Sequence, residues 1–381
     1  MKTSLLRLIA LFRQAGGLDS GRGKRSGVIA LGLAILSLLA VAAFHFPAYL
    51  STPELRQKAS IPVLRQLLFL AMLMSALIAS VNVLARRHRW LNATALILVL
   101  LAALAGGHRV AVTDFPDNTP YLGLDFFVLD LLLSTLVFTG LEKLWPLRQK
   151  QFVFREQWQT DLIYFAANHL LVGLLLLLTN TLIHHSFGRL YQLHLGSVPQ
   201  WLGSLPLPLA IFAAVLVADC AQYLIHRAFH QIPWLWRLHR IHHSIETMDW
   251  LAGSRMHLLD MLCTRVVVLG ALLTLGFSKA AIDGYILIVG VHAVLNHCNV
   301  HLPFSNNRLL RFLLVTPQYH HWHHTSEQIG LDKNFAAHFP VLDLLGGTHL
   351  PAHAPALPKC YGLHADSLPK GYWAQTCSPF R

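Results

Sequence analysis

Charged residues are scarce in this chain. Only 13% of its 381 residues are Asp, Glu, Lys or Arg, about half of the ~25% found in soluble globular proteins. Hydrophobic residues make up 54% of the sequence. This composition excludes intrinsic disorder, a collagen-like fibre and a small disulfide scaffold, and it argues against an ordinary soluble enzyme. The class that remains is a polytopic membrane protein.

Several familiar motifs are absent as well. The five cysteines form no C-x-x-C pair, which removes the usual redox and zinc motifs. There is no H-E-x-x-H zinc-protease motif and no dinucleotide-binding fingerprint. The net charge is +12, but no basic stretch with interleaved aromatics lies outside the loops, so we expect no nucleic-acid binding. In a membrane protein, excess positive charge is typical of cytoplasmic loops.

Long apolar runs give the fold class. A membrane-spanning helix needs about 20 apolar residues. Six stretches qualify as predicted spans: 27–50, 61–84, 91–112, 126–142, 160–183 and 205–225. A seventh apolar stretch, 261–297, is interrupted near Gly276 and predicts a helical hairpin. We therefore predict an all-α, polytopic helical bundle in the membrane with a cytoplasmic, histidine-rich, metal-binding cap.

The distribution of Lys and Arg predicts the orientation. Basic residues occupy the N-terminal lead and the loops after the second and fourth spans, whereas the loop Thr113 to Asp125 carries three Asp and no Lys or Arg. The N-terminus is then cytoplasmic, and the later histidine clusters lie on that same side. We expect a transmembrane region of about four spans at 1–150, a histidine-bearing domain at 151–349 and a tail at 350–381.

Histidine is the residue in excess. The chain has 24 histidines against 18 acidic residues, and 17 of them lie in the last two fifths of the sequence, from His226 onward. Four clusters place imidazoles three or four residues apart, a spacing that puts them on one face of a helix. The clusters are His226/His230, His239/His242/His243, His297/His301 and His320/His323/His324.

These ten histidines predict a metal site. Neutral imidazole binds iron, zinc or copper, and ten imidazoles are too many for one ion but enough for two. Asp219 lies on the helix face of His226, where it could orient that ligand. His321 lies one residue off the ligand face and is expected to flank the site. His292, five residues before His297, could replace one ligand of the His297 and His301 pair or lie beside the ligands.

At these residues the chain resembles the fatty acid hydroxylase/sterol desaturase superfamily of membrane-bound dinuclear-iron oxygenases. The family order is H-x-x-x-H, H-x-x-H-H, a membrane hairpin and a final H-x-x-H-H, matched here by the clusters that begin at His226, His239 and His320. The flanking Thr316-Pro317 and the segment from Leu331 to Phe335 are also similar. The resemblance covers roughly residues 155–350. His257 lies where the family often has R-x-H-P-x-E, although Leu258 and Asp260 replace the Pro and the Glu.

The resemblance implies two non-haem iron ions, O2 as cosubstrate and a membrane lipid as substrate. The eight histidines of its motifs, together with the pair His297 and His301, are the ten predicted ligands. Since no cytochrome b5-type H-P-G-G motif occurs, electrons from NAD(P)H must arrive through a separate protein, such as a cytochrome b5-like protein, a ferredoxin or a reductase. The substrate class stays open among a sterol, a hopanoid, an acyl chain, a carotenoid and an ether lipid. The choice between hydroxylation and desaturation, the role of residues 1–150 and the oligomeric state are open as well. The alternatives are a histidine-rich metal or haem transporter and a zinc hydrolase.

Overall fold

A computed structural model gives the architecture. It describes residues 24–52, 60–85, 87–112, 121–171, 178, 182, 198–302, 310–351, 354–363 and 368–381. The basic lead up to residue 23, residues 113–120 of the acidic loop and most of the predicted span after residue 171 lie outside the described residues. Within them the chain is helical, and its only β-type pairings are two isolated bridges.

The helices of the described residues follow in chain order. They are α1 Lys24–His45, α2 Pro47–Leu50, α3 Ile61–Leu84, α4 Arg89–Leu104, α5 Leu124–Leu144, α6 Trp158–Leu170, α7 Val198–Ser204, α8 Leu207–Gln231, α9 Pro233–His243, α10 Leu258–Thr274, α11 Lys279–His297, α12 Leu310–Leu313, α13 Pro317–His323, α14 Val341–Gly346 and α15 Tyr372–Cys377. Short 3-10 turns lie at Gly107–Arg109, Ala252–Ser254, Gln328–Gly330 and Ser378–Phe380.

Six of these segments are long and apolar enough to cross a membrane. They are Arg25–His45, Ile61–Leu84, Arg89–Arg109, Leu124–Leu144, Leu207–Gln231 and Lys279–His297. Five of them confirm predicted spans, and the sixth is the second arm of the predicted hairpin. The first arm, α10, has 17 residues. The prediction of an all-α, multi-pass membrane protein is confirmed.

The chain divides into two compact units, Met1–Phe126 and Phe127–Arg381. In the first unit α1, α3 and α4 pack together through small residues, among them Ala30, Ala79 and Ala95, which are fully buried. Small side chains let membrane helices approach closely. All the histidine clusters belong to the second unit. The domain limits expected from the sequence stay predictions.

In the second unit, α8 is the central helix for the site. It packs against α9, α10 and α11. Ala210, Ala214 and Ala218 line one of its faces at four-residue spacing and are buried in the core. Gly284 on α11 sits so close that an added Cβ would lie 2.6 Å from the side chain of Ile211. This packing brings the cluster-bearing ends of α8 and α11 towards α9 and α13.

Candidate metal centre

Nine of the ten predicted ligands converge into two groups. We call the five-histidine group site A and the four-histidine group site B. Within each group, one ring nitrogen from every member lies within 4.8 Å of the others. Eight of the nine residues are buried, and the side chain of the ninth, His230, is only 5% exposed. Site A consists of His226, His230, His239, His243 and His323, and site B of His242, His297, His320 and His324.

The two H-x-x-H-H segments interlock the sites. Helix α9 begins at Pro233, whose fixed φ suits the first helical turn, and it gives two histidines to site A and His242 to site B. Helix α13 begins with Pro317 after Thr316, whose side chain accepts a hydrogen bond from the backbone N–H of Tyr319. This helix gives His323 to site A and His320 to site B, and His324, which follows directly after the helix, is also in site B. The two sites are therefore neighbours built from the same short helices.

Backbone carbonyls fix the tautomers of four rings. The Nδ1 atoms of His226 and His323 lie 2.8 and 2.9 Å from the carbonyl oxygens of Phe335 and Lys333. In site B, Nδ1 of His242 lies 3.0 Å from the Arg255 carbonyl, and Nδ1 of His297 lies 2.8 Å from the carbonyl of Ala293 one turn back. A carbonyl can only accept, so each Nδ1 carries the hydrogen and each Nε2 presents a bare lone pair.

These bare lone pairs face one another. The Nε2 atoms of His242 and His297 are 3.1 Å apart, although neither carries a hydrogen to share. In site A the Nε2 atoms of His230, His243 and His323 are buried and lack a hydrogen-bond partner among the described residues. Buried polar atoms are normally paired, and lone pairs at this distance repel. A bound cation would give the buried nitrogens a partner and would remove the repulsion between their lone pairs. The residues present therefore fit a metal at each site.

Burial keeps the imidazoles ready to bind metal. The pKa values of His239, His242 and His243 lie well below the ordinary value of 6.5, because burial and the neighbouring imidazoles both disfavour a positive charge. The same causes lower the pKa values of His320, His323 and His324. A ligating histidine must be neutral, and these six are neutral at physiological pH.

His301 lies outside both groups. Helix α11 ends at His297, and Cys298 is extended, with φ −60° and ψ 147°. The four-residue spacing of His297 and His301 therefore does not place them on one helix face. The backbone N–H of His301 donates to the carbonyl of Trp145, and its ring is half-buried.

Asp219 is close to the site but does not touch His226. Its carboxylate accepts hydrogen bonds from the backbone N–H groups of Ala337, His338 and Phe339 at 2.6 to 3.1 Å. The carbonyl of Phe335, two residues before that segment, receives the Nδ1 hydrogen of His226. The direct contact expected from the sequence is replaced by an indirect one through the loop.

His321 flanks site B and points away from it. Its Nε2 donates to the carbonyl of Cys298 at 3.1 Å, and its Nδ1 accepts from the hydroxyl of Tyr361 at 2.8 Å. That hydroxyl in turn accepts from Nε of Arg148 at 3.0 Å. The ring is fully buried, and it ties the C-terminal segment to α13.

The other two predicted neighbours of the site contact other segments. Nδ1 of His257 accepts from the N–H of Leu259 at the start of α10, and its Nε2 donates to the carbonyl of Thr376. Nδ1 of His292 lies 2.6 Å from Nδ1 of His338. Neither ring is hydrogen-bonded to an imidazole of site A or site B in the described part of the chain.

Two carboxylates that contact the site have no place in the sequence-derived set. Asp260 lies 2.8 Å from Nδ1 of His239, and both side chains are buried. Asp332 lies 3.1 Å from Nδ1 of His230. Burial raises the pKa of Asp260 to about 8, whereas a cation at Nε2 of His239 would favour the ionised carboxylate. Both had a signal in the sequence: Asp260 stands where the family's R-x-H-P-x-E segment has its Glu, and Asp332 lies in the Leu331 to Phe335 segment that is similar to the family.

Comparison with known proteins fits this geometry. Residues 211–348 match the family model of the fatty acid hydroxylases. Over these residues the chain carries a fatty acid hydroxylase domain. The matched segment contains every histidine of sites A and B, and the resemblance inferred from the histidine motifs is confirmed.

Curated relatives are similar over the same part of the chain. An ornithine lipid hydroxylase of Rhizobium tropici is 27% identical over 187 residues, which are 47% of this chain and 53% of that protein. A very-long-chain aldehyde decarbonylase of Oryza sativa is 30% identical over 189 residues, 46% of this chain and 29% of that protein. The alkylglycerol monooxygenase of Homo sapiens is 26% identical over 145 residues, which are 37% of this chain and 31% of that protein. The chain thus spans about half the length of the first relative and under a third of the others. No solved structure matches the chain.

Proposed function

We propose that this protein is a membrane-bound, O2-dependent oxygenase that hydroxylates or desaturates a C–H bond of a lipid. The observation that carries the proposal is the pair of neighbouring histidine groups whose bare Nε2 atoms converge. Two iron ions, when bound there, would supply the oxidising power to attack an unactivated C–H bond. The proposed ligands are the nine histidines of sites A and B, without His301.

The protein's own residues fix the ligands before metal binds. The carbonyls of Phe335, Lys333 and Arg255 hold three rings by their Nδ1 hydrogens. Such contacts determine both tautomer and ring orientation in metal sites. Because the ligands need not reorganise, the site would be preorganised for binding.

Two features support a lipid substrate. The histidines of α8 and α11 lie at the ends of helices apolar enough to span a membrane, so an acyl or polycyclic chain could reach them without crossing water. The relatives include proteins named for action on ornithine lipids and alkylglycerols. We propose that the sites face the cytoplasm and that a separate electron-transfer protein delivers reducing equivalents derived from NAD(P)H.

Lipid analysis tests the proposal. The full chain would be expressed in a bacterial host grown under heavy-isotope O2, and its lipids compared by mass spectrometry with those of a host that expresses His242→Ala. A lipid that gains one labelled oxygen atom, or loses two hydrogens, only with the unaltered chain supports the proposal. The proposal would be contradicted if the two hosts had identical lipids and if deletion of the gene in the native organism left its lipids unchanged.

A further inference from the structure

We infer that the two metal positions are unequal: site A binds a divalent metal more tightly than site B, and Asp332 and Asp260 are the positioning residues that cause the difference. The inference rests on the proposed metal centre. It depends on what the second nitrogen of each imidazole contacts, which differs between the two sites.

Site A is supported by carboxylates. Nδ1 of His239 contacts Asp260 at 2.8 Å, and Nδ1 of His230 contacts Asp332 at 3.1 Å. A histidine that donates its second N–H to a carboxylate is a more basic ligand than one that donates to a carbonyl. Two negative charges close to a divalent cation also lower its electrostatic energy. Site A has one more imidazole than site B as well.

Site B has only neutral support. His242 and His297 donate to the carbonyls of Arg255 and Ala293. The buried Nδ1 atoms of His320 and His324 have no hydrogen-bond partner among the described residues, and no carboxylate there is bonded to a site B ring. To present a bare Nε2, each of these two rings must leave a buried N–H unsatisfied. That arrangement costs free energy, which reduces the net gain from metal binding at site B.

Asp332 offers a clean test because it can be changed without disturbing the core. Its side chain is 70% exposed, whereas that of His230 is 5% exposed. Its backbone has a φ of 55°, in the left-handed region, which Asn tolerates as readily as Asp. Asp332→Asn therefore keeps the backbone and the shape while it removes the negative charge.

The experiment is a cobalt titration of the full-length, metal-free protein in detergent, followed by the visible absorption of bound Co²⁺ and by metal analysis. We expect two resolved binding phases. Asp332→Asn should weaken the tighter phase about 10- to 100-fold and leave the weaker one unchanged. Asp332→Glu keeps the negative charge, although Glu is less favoured at this φ, and should lose less affinity than Asp332→Asn. His242→Ala, a change in site B, should remove the weaker phase alone.

The matched control is Asp283→Asn. Asp283 is an exposed aspartate of the same unit, paired with Lys279 on α11, and both phases should be unaffected. Asp260→Asn gives a second, buried test and should also weaken the tighter phase. Two phases of equal affinity, or an Asp332→Asn protein that binds cobalt like the unaltered one, would overturn the inference and leave the proposed function standing. Failure of the unaltered protein to bind any cobalt would instead overturn the metal centre itself.

Discussion

At the level of single residues, the contact made by the second nitrogen separates a proposed ligand from a bystander. His323 and His321 are two residues apart on α13 and both are buried. His323 uses only Nδ1, on the carbonyl of Lys333, and turns its Nε2 into site A. His321 uses both nitrogens for hydrogen bonds to Tyr361 and Cys298, so it has no lone pair left for a metal.

This contrast predicts different outcomes for two alanine variants. His323→Ala should lose metal from site A and abolish turnover. His321→Ala should keep its metal but lose stability, by about 1–3 kcal/mol for each buried group left unsatisfied. Metal content, product formation and melting temperature would be measured on the same preparations. A His321→Ala protein as poor in metal as His323→Ala would contradict the ligand assignment.

Tyr361→Phe isolates one hydroxyl of the same network. That hydroxyl accepts from Arg148 and donates to His321, so its removal leaves a donor and an acceptor unpaired. We expect a loss of about 1–2 kcal/mol in the free energy of unfolding with the metal content unchanged. Tyr49→Phe, where the tyrosine is 57% exposed, is the control and should melt like the unaltered protein. Equal melting temperatures for all three proteins would show that the hydroxyl contributes nothing.

At the level of elements, local sequence patterns predict the helices that carry ligands. The break of the hairpin was expected near Gly276, and the structure ends α10 at Thr274 and begins α11 at Lys279, with Gly276 at a φ of 81°. Pro233 was expected in the first turn of a helix and begins α9. These features follow from periodicity and from the backbone preferences of Pro and Gly.

Contacts between elements could not be predicted in the same way. Asp260 lies 21 residues from His239 along the chain, and only the packing of α9 against α10 brings the two together. The carbonyl of Phe335 lies 109 residues from His226. For His301 the sequence spacing predicts a contact that the structure lacks, because the helix that would place it beside His297 ends at His297. Residue spacing predicts contacts only inside a continuous element.

Asp343 organises the loop that orients His226. Its buried carboxylate accepts from the backbone N–H groups of Phe335 and Ala336 and from the hydroxyls of Tyr319 and Thr348, at 2.7 to 2.9 Å. Hydrogen bonds to a charged group contribute about 1.5–3 kcal/mol each. Asp343→Ala should therefore cost about 3 kcal/mol or more and loosen the contact of His226 with Phe335.

Thermal unfolding and cobalt binding would measure this effect. Asp283→Ala removes an exposed i,i+4 pair with Lys279, worth about 0.3–0.5 kcal/mol, and serves as the control. Similar melting temperatures for the two variants would show that Asp343 does not hold the loop.

At the level of the whole molecule, the predicted membrane orientation depends on the distribution of Lys and Arg in the loops and not on the lengths of the helices. Reporter fusions after residues 155 and 250 should both report the cytoplasm, because basic loops stay on that side. A fusion in the loop Thr113 to Asp125, which is acidic and lacks Lys and Arg, should report the opposite side. A fusion after residue 250 that reports the outside would separate the histidine groups from the basic loops and contradict the proposed orientation.

The number of buried neutral histidines predicts how the metal-free protein responds to acid. Six of them, in sites A and B, have pKa values held well below 6.5 by burial and by one another, and the pKa of His321 falls to about 3. In the unfolded chain each would titrate near 6.5. Below that pH the unfolded state binds more protons, so the free energy of unfolding decreases as the pH falls. Each histidine can contribute up to about 1.4 kcal/mol per pH unit.

The stability that these buried histidines contribute is thus fully present above pH 6.5, and it is lost progressively as the pH falls from there towards the folded-state pKa values. Melting temperatures of metal-free protein in detergent, measured between about pH 8 and about pH 5, should be flat at first and then fall steeply. Protein loaded with cobalt should resist acid to a lower pH, because a ligating imidazole cannot take up a proton without releasing the metal. Melting temperatures that stay constant to pH 5 would mean that the imidazoles take up protons as readily in the folded protein as in the unfolded chain, and a rise on acidification would mean that they do so more readily in the folded protein.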